Sequence, residues 1–127
     1  MKLKSKWLDR RVAKPGPYLS LCLTEKELHE TCKRITPHYL QFPEYGATCF
    51  QLAKEGDIFC VIALSEHAQK NNNAIEVAGM LVHEAVHTWQ YYAEKMGETR
   101  SGDEQEAYAI QAISQELLAE YARRISE

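Results

Sequence analysis

Residues 73–96 read NAIEVAGMLVHEAVHTWQYYAEKM, and they carry the clearest helix signal in the sequence. It contains no proline and one internal glycine, and Gly97 follows it directly. The asparagines at 71–73 offer side-chain oxygens that can cap the start of a helix. A glycine just past the last turn is typical of a helix end. We therefore expect one long helix over this stretch.

His83 and His87 place two imidazole rings one turn apart on this helix, with the Glu84 carboxylate beside them. Residues at i and i+4 lie about 40° apart around a helix axis, so both rings can reach one cation. Glu84 points roughly 100° away from His83, toward a water on that cation. This spacing is typical of zinc hydrolases. The alternative interpretation is a solvated face of an ordinary amphipathic helix.

The same helix has an apolar stripe that we expect to face the core. At about 100° per residue, the stripe consists of Ile75, Ala78, Val82, Val86, Trp89 and Ala93. His83 and His87 flank the stripe. We therefore expect the two rings at the border between the core and a cleft.

A second helix is predicted downstream, because Ser101-Gly102-Asp103-Glu104 has the Ser-x-x-Glu form of a capping box. The helix should run to about Ile125. Its buried stripe, at i+3 and i+4 spacing, consists of Ile110, Ile113, Leu117 and Tyr121. One turn back along this stripe lies Glu106, so a carboxylate occupies a position that should face inward.

Glu106 is the leading candidate for a third zinc ligand, since catalytic zinc usually takes three protein ligands and leaves one position for water. A buried carboxylate without a partner costs several kcal/mol, so an inward Glu106 needs a cation or a hydrogen-bond network. Glu104 serves the cap, and Glu98 lies in the turn before the helix. Asp103 is the second choice, because it lies near the same face. The alternative is that Glu106 is a surface residue of the first turn.

Residues 83–87 and 103–109 together carry a resemblance to a known class of enzymes. The pattern HEAVH followed by DEQEAYA resembles a gluzincin-type metallopeptidase, in which the third-ligand glutamate lies on a second helix. More narrowly, it is similar to the small ImmA/IrrE-like peptidases and to short metallopeptidases encoded by phages and prophages. The resemblance covers about residues 73–118.

The resemblance implies a specific set of site residues. It implies His83, His87 and Glu106 as ligands of Zn²⁺, and Glu84 as the general base that activates a zinc-bound water. Tyr108 departs from the asparagine that is frequent at this place in the repressor-cleaving enzymes. This departure leaves the substrate open, but it does not affect the metal site.

The predicted fold class is α+β. The expected elements are a strand at 18–23, a helix from Thr24 to about Ile35, strands at 47–53 and 57–64 joined by a turn at 54–56, and the two long helices. This order predicts a minimal zincin-like domain, in which a small, mainly antiparallel sheet packs on an active-site helix and a second ligand-bearing helix. In the enzymes it resembles, an edge strand binds extended peptide, and one of the two hairpin strands should be that edge.

Composition predicts one globular domain at 15–127 after a basic arm at 1–14. The chain has 127 residues, of which 45% are hydrophobic and 26% are charged. The arm carries six Lys or Arg and one Asp, whereas the whole chain has a net charge of −3. A solubilising terminus is the ordinary interpretation, and contact with an acidic partner or nucleic acid is the alternative. We expect no nucleic-acid partner for the domain, no membrane span or signal peptide, and a cytoplasmic location, consistent with a phage-encoded protein in a bacterial host.

The four cysteines show no Cys-x-x-Cys spacing, which disfavours a structural zinc knuckle. We expect reduced, mostly buried thiols. Cys49 and Cys60 are predicted to face each other across the hairpin, where a disulfide would be geometrically possible.

The leading hypothesis is a zinc-dependent endopeptidase acting on a peptide or protein substrate. A further donor would steady the oxyanion, for which Tyr108 is the first candidate and Tyr91 and His67 are others. One rival is a catalytically silent binding or regulatory module of a mobile element, with a fourth protein ligand such as His67 closing the zinc site. Another is a protein without metal, in which Glu106 caps its helix.

Overall fold

The computed structural model describes residues 4–8, 17–97 and 103–126. Within these ranges the elements are β1 (Tyr18–Cys22), α1 (Glu25–Cys32), β2 (Ala47–Lys54), β3 (Asp57–Leu64), α2 (Glu66–Asn71), α3 (Ala74–Lys95) and α4 (Asp103–Ile125). One sheet face packs against α3 and α4, and the other packs against the short helix α1. The α+β class predicted from the sequence is confirmed.

The sheet has three strands in the described part of the chain, in the order β1-β3-β2. β2 and β3 form the predicted antiparallel hairpin, and β1 lies parallel to β3 on its other side. The sheet is therefore mixed rather than mainly antiparallel, because α1 and the loop after it carry the chain across the sheet between β1 and β2. Glu55 and Gly56 both adopt positive φ, 52° and 84°, in the predicted hairpin turn.

Residues 4–8 of the predicted basic arm lie against the outer edge of β1. Trp7 forms an antiparallel bridge with Ser20, and the Leu8 amide donates to the Leu19 carbonyl at 2.7 Å. Leu8 is buried, whereas Trp7 keeps 40% of its surface exposed. This part of the arm is thus an extension of the sheet. The other residues of the predicted arm lie outside the described residues.

Two predicted helix starts are confirmed by their capping groups. Thr24 accepts a hydrogen bond from the Glu27 amide at 3.1 Å. Asn73 and Glu76 form a reciprocal capping box, with distances of 2.8 and 2.9 Å. The sequence interpretation missed α2, whose start is capped by the buried Ser65.

The face that α3 buries differs from the predicted stripe. The buried residues are Val77, Leu81, Glu84, Ala85, Thr88, Trp89 and Tyr92. Ile75 is 83% exposed and Val82 is 39% exposed, so the predicted core face is wrong by about a quarter of a turn. The reason is that residues 77–82 are uncharged and mostly apolar on every side of the helix, so their periodicity selects no single face. Packing against the sheet and α4 makes the selection.

The buried stripe of α4 agrees better with the prediction. Ile113 and Leu117 are fully buried, and Ile110 and Tyr121 are partly buried against the same core. The helix begins at Asp103, and the predicted capping residue Ser101 lies outside the described residues. None of the described helices combines the length and apolar character that crossing a bilayer requires.

Candidate active site

The His83 and His87 rings converge on one point beside α3. Their Nε2 atoms are 3.1 Å apart, and the ring centroids are 4.8 Å apart with an interplanar angle of 73°. Both side chains are exposed, and 69% of the His83 side chain is accessible. The one-turn spacing of the sequence thus becomes a pair of nitrogens directed at the same volume of solvent.

The Glu84 carboxylate lies beside this pair but is buried. The residue is only 5% exposed, and its Oε2 is 3.9 Å from the His83 Nε2. Burial raises the pKa of Glu84, while charge on His83 and His87 and the backbone amide of Cys49 on β2 act in the opposite direction. A carboxyl group in such a place accepts a proton more readily than an exposed one. This is the property that a general base at neutral pH requires.

Thr88 and Cys49 form the floor beneath Glu84. The Thr88 hydroxyl is fully buried, donates to the Glu84 carbonyl at 2.9 Å and lies 3.6 Å from the Cys49 Sγ. These contacts hold this turn of α3 against β2. The sequence offered one signal for this floor, because Thr88 follows Glu84 by one helical turn and a threonine there can bond back to the carbonyl.

Cys49 and Cys60 share a sheet face but are not directly opposite. The partner of Cys49 is Ile62, and the partner of Cys60 is Gln51, so the two thiols are diagonal neighbours. Diagonal neighbours on one sheet face lie within reach of each other's side chains, and the Cys49 and Cys60 thiols are in contact. All four cysteines are free thiols. Both are reduced thiols, as the sequence predicts, and contact with Cys49 together with burial raises the pKa of Cys60.

Glu106 is exposed, so the expectation of a buried third carboxylate is wrong. It does occupy the expected face of α4, seven residues before the buried Ile113. No three His, Cys, Asp or Glu side chains are arranged to hold a metal ion in the described part of the chain. The physical reason is that the first turns of α4 are uncovered on every side, since all of residues 104–108 are exposed. The role of Glu106 as a ligand remains a prediction.

The other predicted site residues lie at the surface or in their own packing contacts. Tyr108 is 67% exposed. Tyr91 is partly buried, with the Lys95 ammonium 5.5 Å from its ring centroid. His67 is exposed and meets the Tyr45 ring edge-on at 4.8 Å. The structure therefore favours none of the three as the oxyanion donor.

The strand nearest this site is an edge of the sheet. β2 is the outermost strand on its side, and no described residue pairs with its outer edge. It packs against α3 through Cys49 and Thr88. An extended peptide could therefore pair with β2 while lying next to the imidazoles. The prediction that one hairpin strand is an edge is confirmed, and the strand is β2.

Comparison of this chain with protein-family models, with curated proteins and with solved structures finds no significant match.

Proposed function

We propose that this chain is a zinc-dependent peptidase in which His83 and His87 hold Zn²⁺ and Glu84 is the general base. The observation that carries the proposal is the convergence of the two Nε2 atoms, 3.1 Å apart, beside a buried carboxylate. The packing of α3 does not require the rings to converge, since both are exposed. Burial of Glu84 costs stability, which is expected where a carboxylate serves chemistry rather than folding.

The donor pair fits zinc in spacing and in chemistry. Two imidazole nitrogens bound to one Zn²⁺ at about 2.0–2.1 Å and a tetrahedral angle would be about 3.3 Å apart. The observed 3.1 Å is close to this separation. A catalytic zinc still needs a third protein ligand. We propose Glu106 for this role, because the resemblance implies a glutamate at this position of α4.

The proposed chemistry uses Glu84 as a proton carrier. Bound zinc would polarise the scissile carbonyl and acidify a water molecule. Glu84 takes the proton from the attacking water and then delivers it to the leaving amine. The raised pKa of Glu84 suits both steps, because the carboxyl group must be able to gain and lose a proton near neutral pH. Thr88, through its hydrogen bond to the Glu84 carbonyl, keeps this turn of α3 in place.

The free edge of β2 is the proposed binding surface for the substrate backbone. Strand addition satisfies peptide amides and carbonyls without reading much sequence. The proposed substrate class is therefore an extended peptide or protein segment.

The test separates metal binding from catalysis. Glu84→Gln should bind about one equivalent of zinc and lose peptide hydrolysis, because it removes the base and keeps the proposed ligands. Glu94→Gln, an exposed glutamate on the same helix, is the matched control and should keep full activity. The double variant His83→Ala, His87→Ala should lose both zinc and activity. Retained turnover in Glu84→Gln would reject the base, and unchanged zinc binding in the double variant would reject the ligands.

One observation favours a second candidate function. Because Glu106 is exposed and joins no three-residue cluster in the described ranges, the chain also suits a silent binding or regulatory module of a mobile element. That candidate predicts no hydrolysis by the wild-type protein with added zinc, over a broad peptide library. Hydrolysis that depends on Glu84 excludes it.

A further inference from the structure

Within the described residues, the sheet face opposite α3 is only partly covered. α1 has eight residues, about 12 Å of helix, and packs over the end of the sheet that contains Cys22 and Val61. The other end of this face carries Tyr18 and Phe59, which are register partners on β1 and β3 and are only partly buried. The short helix thus leaves apolar sheet surface open to solvent.

An aromatic cluster forms the floor of this uncovered region. The Tyr18 and Phe59 rings stack with centroids 5.0 Å apart and an interplanar angle of 18°. Trp7 meets Phe59 edge-on at 5.6 Å and remains 40% exposed. An aromatic surface of this kind, open to solvent, marks an interaction site more often than an isolated exposed side chain does.

We name the depression over this cluster the α1 groove, which is bounded by residues 4–7, α1 and the β2–β3 turn. Its volume is about 1180 Å³. The ionisable residues along it are Lys4, Lys6, Lys26, Glu27, Glu30, Lys33, Arg34, Lys54, Glu55 and Asp57. Six of these are cations and four are anions, although the whole chain has a net charge of −3. The groove therefore concentrates positive charge on a negatively charged protein.

Local ion pairs increase this imbalance. The Glu27 carboxylate is bound by the buried Arg124 of α4, and Glu30 is bound by Lys33 at 2.8 Å. The first pair removes one carboxylate from the balance, whereas the second, which is exposed, occupies one carboxylate and one lysine of the groove, so five cations and two carboxylates remain. Lys26 and Arg34 are exposed, and within the described residues neither has a carboxylate within salt-bridge distance. The charges left for a partner are mainly positive.

The remaining carboxylates argue for a peptide over a nucleic acid. Glu55 and Asp57 lie at the hairpin end of the groove, close in sequence to Phe59. A nucleic acid has a phosphate at every nucleotide, so a strand along the groove would bring phosphates next to these two carboxylates. A peptide can place uncharged residues there, with its carboxylates opposite the lysines.

We propose that the α1 groove binds an acidic peptide segment of a partner protein, with an apolar side chain of that segment on the Trp7 and Phe59 rings. The cations along α1 would hold the flanking carboxylates. The groove lies on the opposite sheet face from His83 and His87, so the proposal does not depend on peptidase activity.

The test uses a short fluorescein-labelled peptide in which glutamates flank two central leucines. Fluorescence anisotropy with the full chain should show binding that weakens as salt is added. Lys26→Glu with Arg34→Glu should lower the affinity at least about tenfold, since two attractions become repulsions. Lys70→Glu with Lys95→Glu, two exposed lysines outside the groove, makes the same change in net charge and should leave the affinity unchanged.

A second measurement locates the bound peptide. Trp7 and Trp89 are the two tryptophans, and Trp89 is buried. Peptide binding should change the emission of wild-type protein, and Trp7→Phe should remove that change. The proposal is overturned if the peptide does not bind, if both charge-reversal pairs weaken binding equally, or if single-stranded oligothymidylate binds more tightly. It is also overturned if the groove mediates a dimer that Lys26→Glu with Arg34→Glu dissociates.

Discussion

Leu81 and Ile75 are aliphatic residues on the same helix, and they provide a direct test of which face of α3 is buried. Leu81 is fully buried in the main core cluster, whereas Ile75 is 83% exposed. Truncating a fully buried leucine to alanine removes buried surface and leaves a cavity, at a cost of about 2–5 kcal/mol. Truncating a side chain as exposed as Ile75 changes stability by about 0.5 kcal/mol or less.

These costs convert into separate melting temperatures. For a chain of 127 residues, an unfolding entropy of about 2.1 cal/mol/K per residue gives a shift of about 4 °C per kcal/mol. With a cost of about 3 kcal/mol, Leu81→Ala should lower the Tm by about 11 °C, and Ile75→Ala should change it by less than about 2 °C. Far-UV circular dichroism during heating measures both, and urea unfolding checks the free energies. An equal loss in the two variants would refute the assignment of the buried face.

Three further predictions concern other parts of the fold. Arg124→Ala should destabilise the chain by about 3 kcal/mol, because it leaves the Glu27 carboxylate without its partner. Adding Glu27→Gln to this variant should recover much of the lost free energy of unfolding, measured by urea titration. Independent, additive losses from the two substitutions would contradict the pairing. Burial raises the pKa of Cys22 to about 11, so iodoacetamide should modify it on the order of 100-fold more slowly at pH 8 than an unperturbed thiol. The rate of modification, followed by mass spectrometry, should rise about tenfold per pH unit below pH 11. Modification at the rate of free cysteine would argue against the burial of Cys22. Glu55→Asn should raise stability by about 0.5 kcal/mol, because asparagine tolerates the positive φ before Gly56 better than glutamate does, and a lower urea midpoint would contradict this turn geometry.

The candidate site was only partly predictable from the sequence. The convergence of His83 and His87 follows from helix geometry alone, because residues four apart lie on one side of any α-helix. The burial of Glu84 does not follow from spacing, since it depends on β2 lying over that side of α3. The exposure of Glu106 does not follow from spacing either, since every residue from 104 to 108 is exposed at the start of α4.

Local elements whose signals lie within a few residues of one another were predictable from the sequence alone. The caps at Thr24 and Asn73, the turn at Gly56 and the pairing of the two imidazoles all depend on contacts between near neighbours in the chain. The buried face of α3, in contrast, depends on tertiary packing, because the apolar residues at 77–82 surround that helix on most sides. Packing against the sheet and α4 removes one set of these residues from water and leaves Ile75 and Val82 exposed. The buried face is the one that removes the most apolar surface from water when all elements pack together, and a local sequence pattern does not include the other elements.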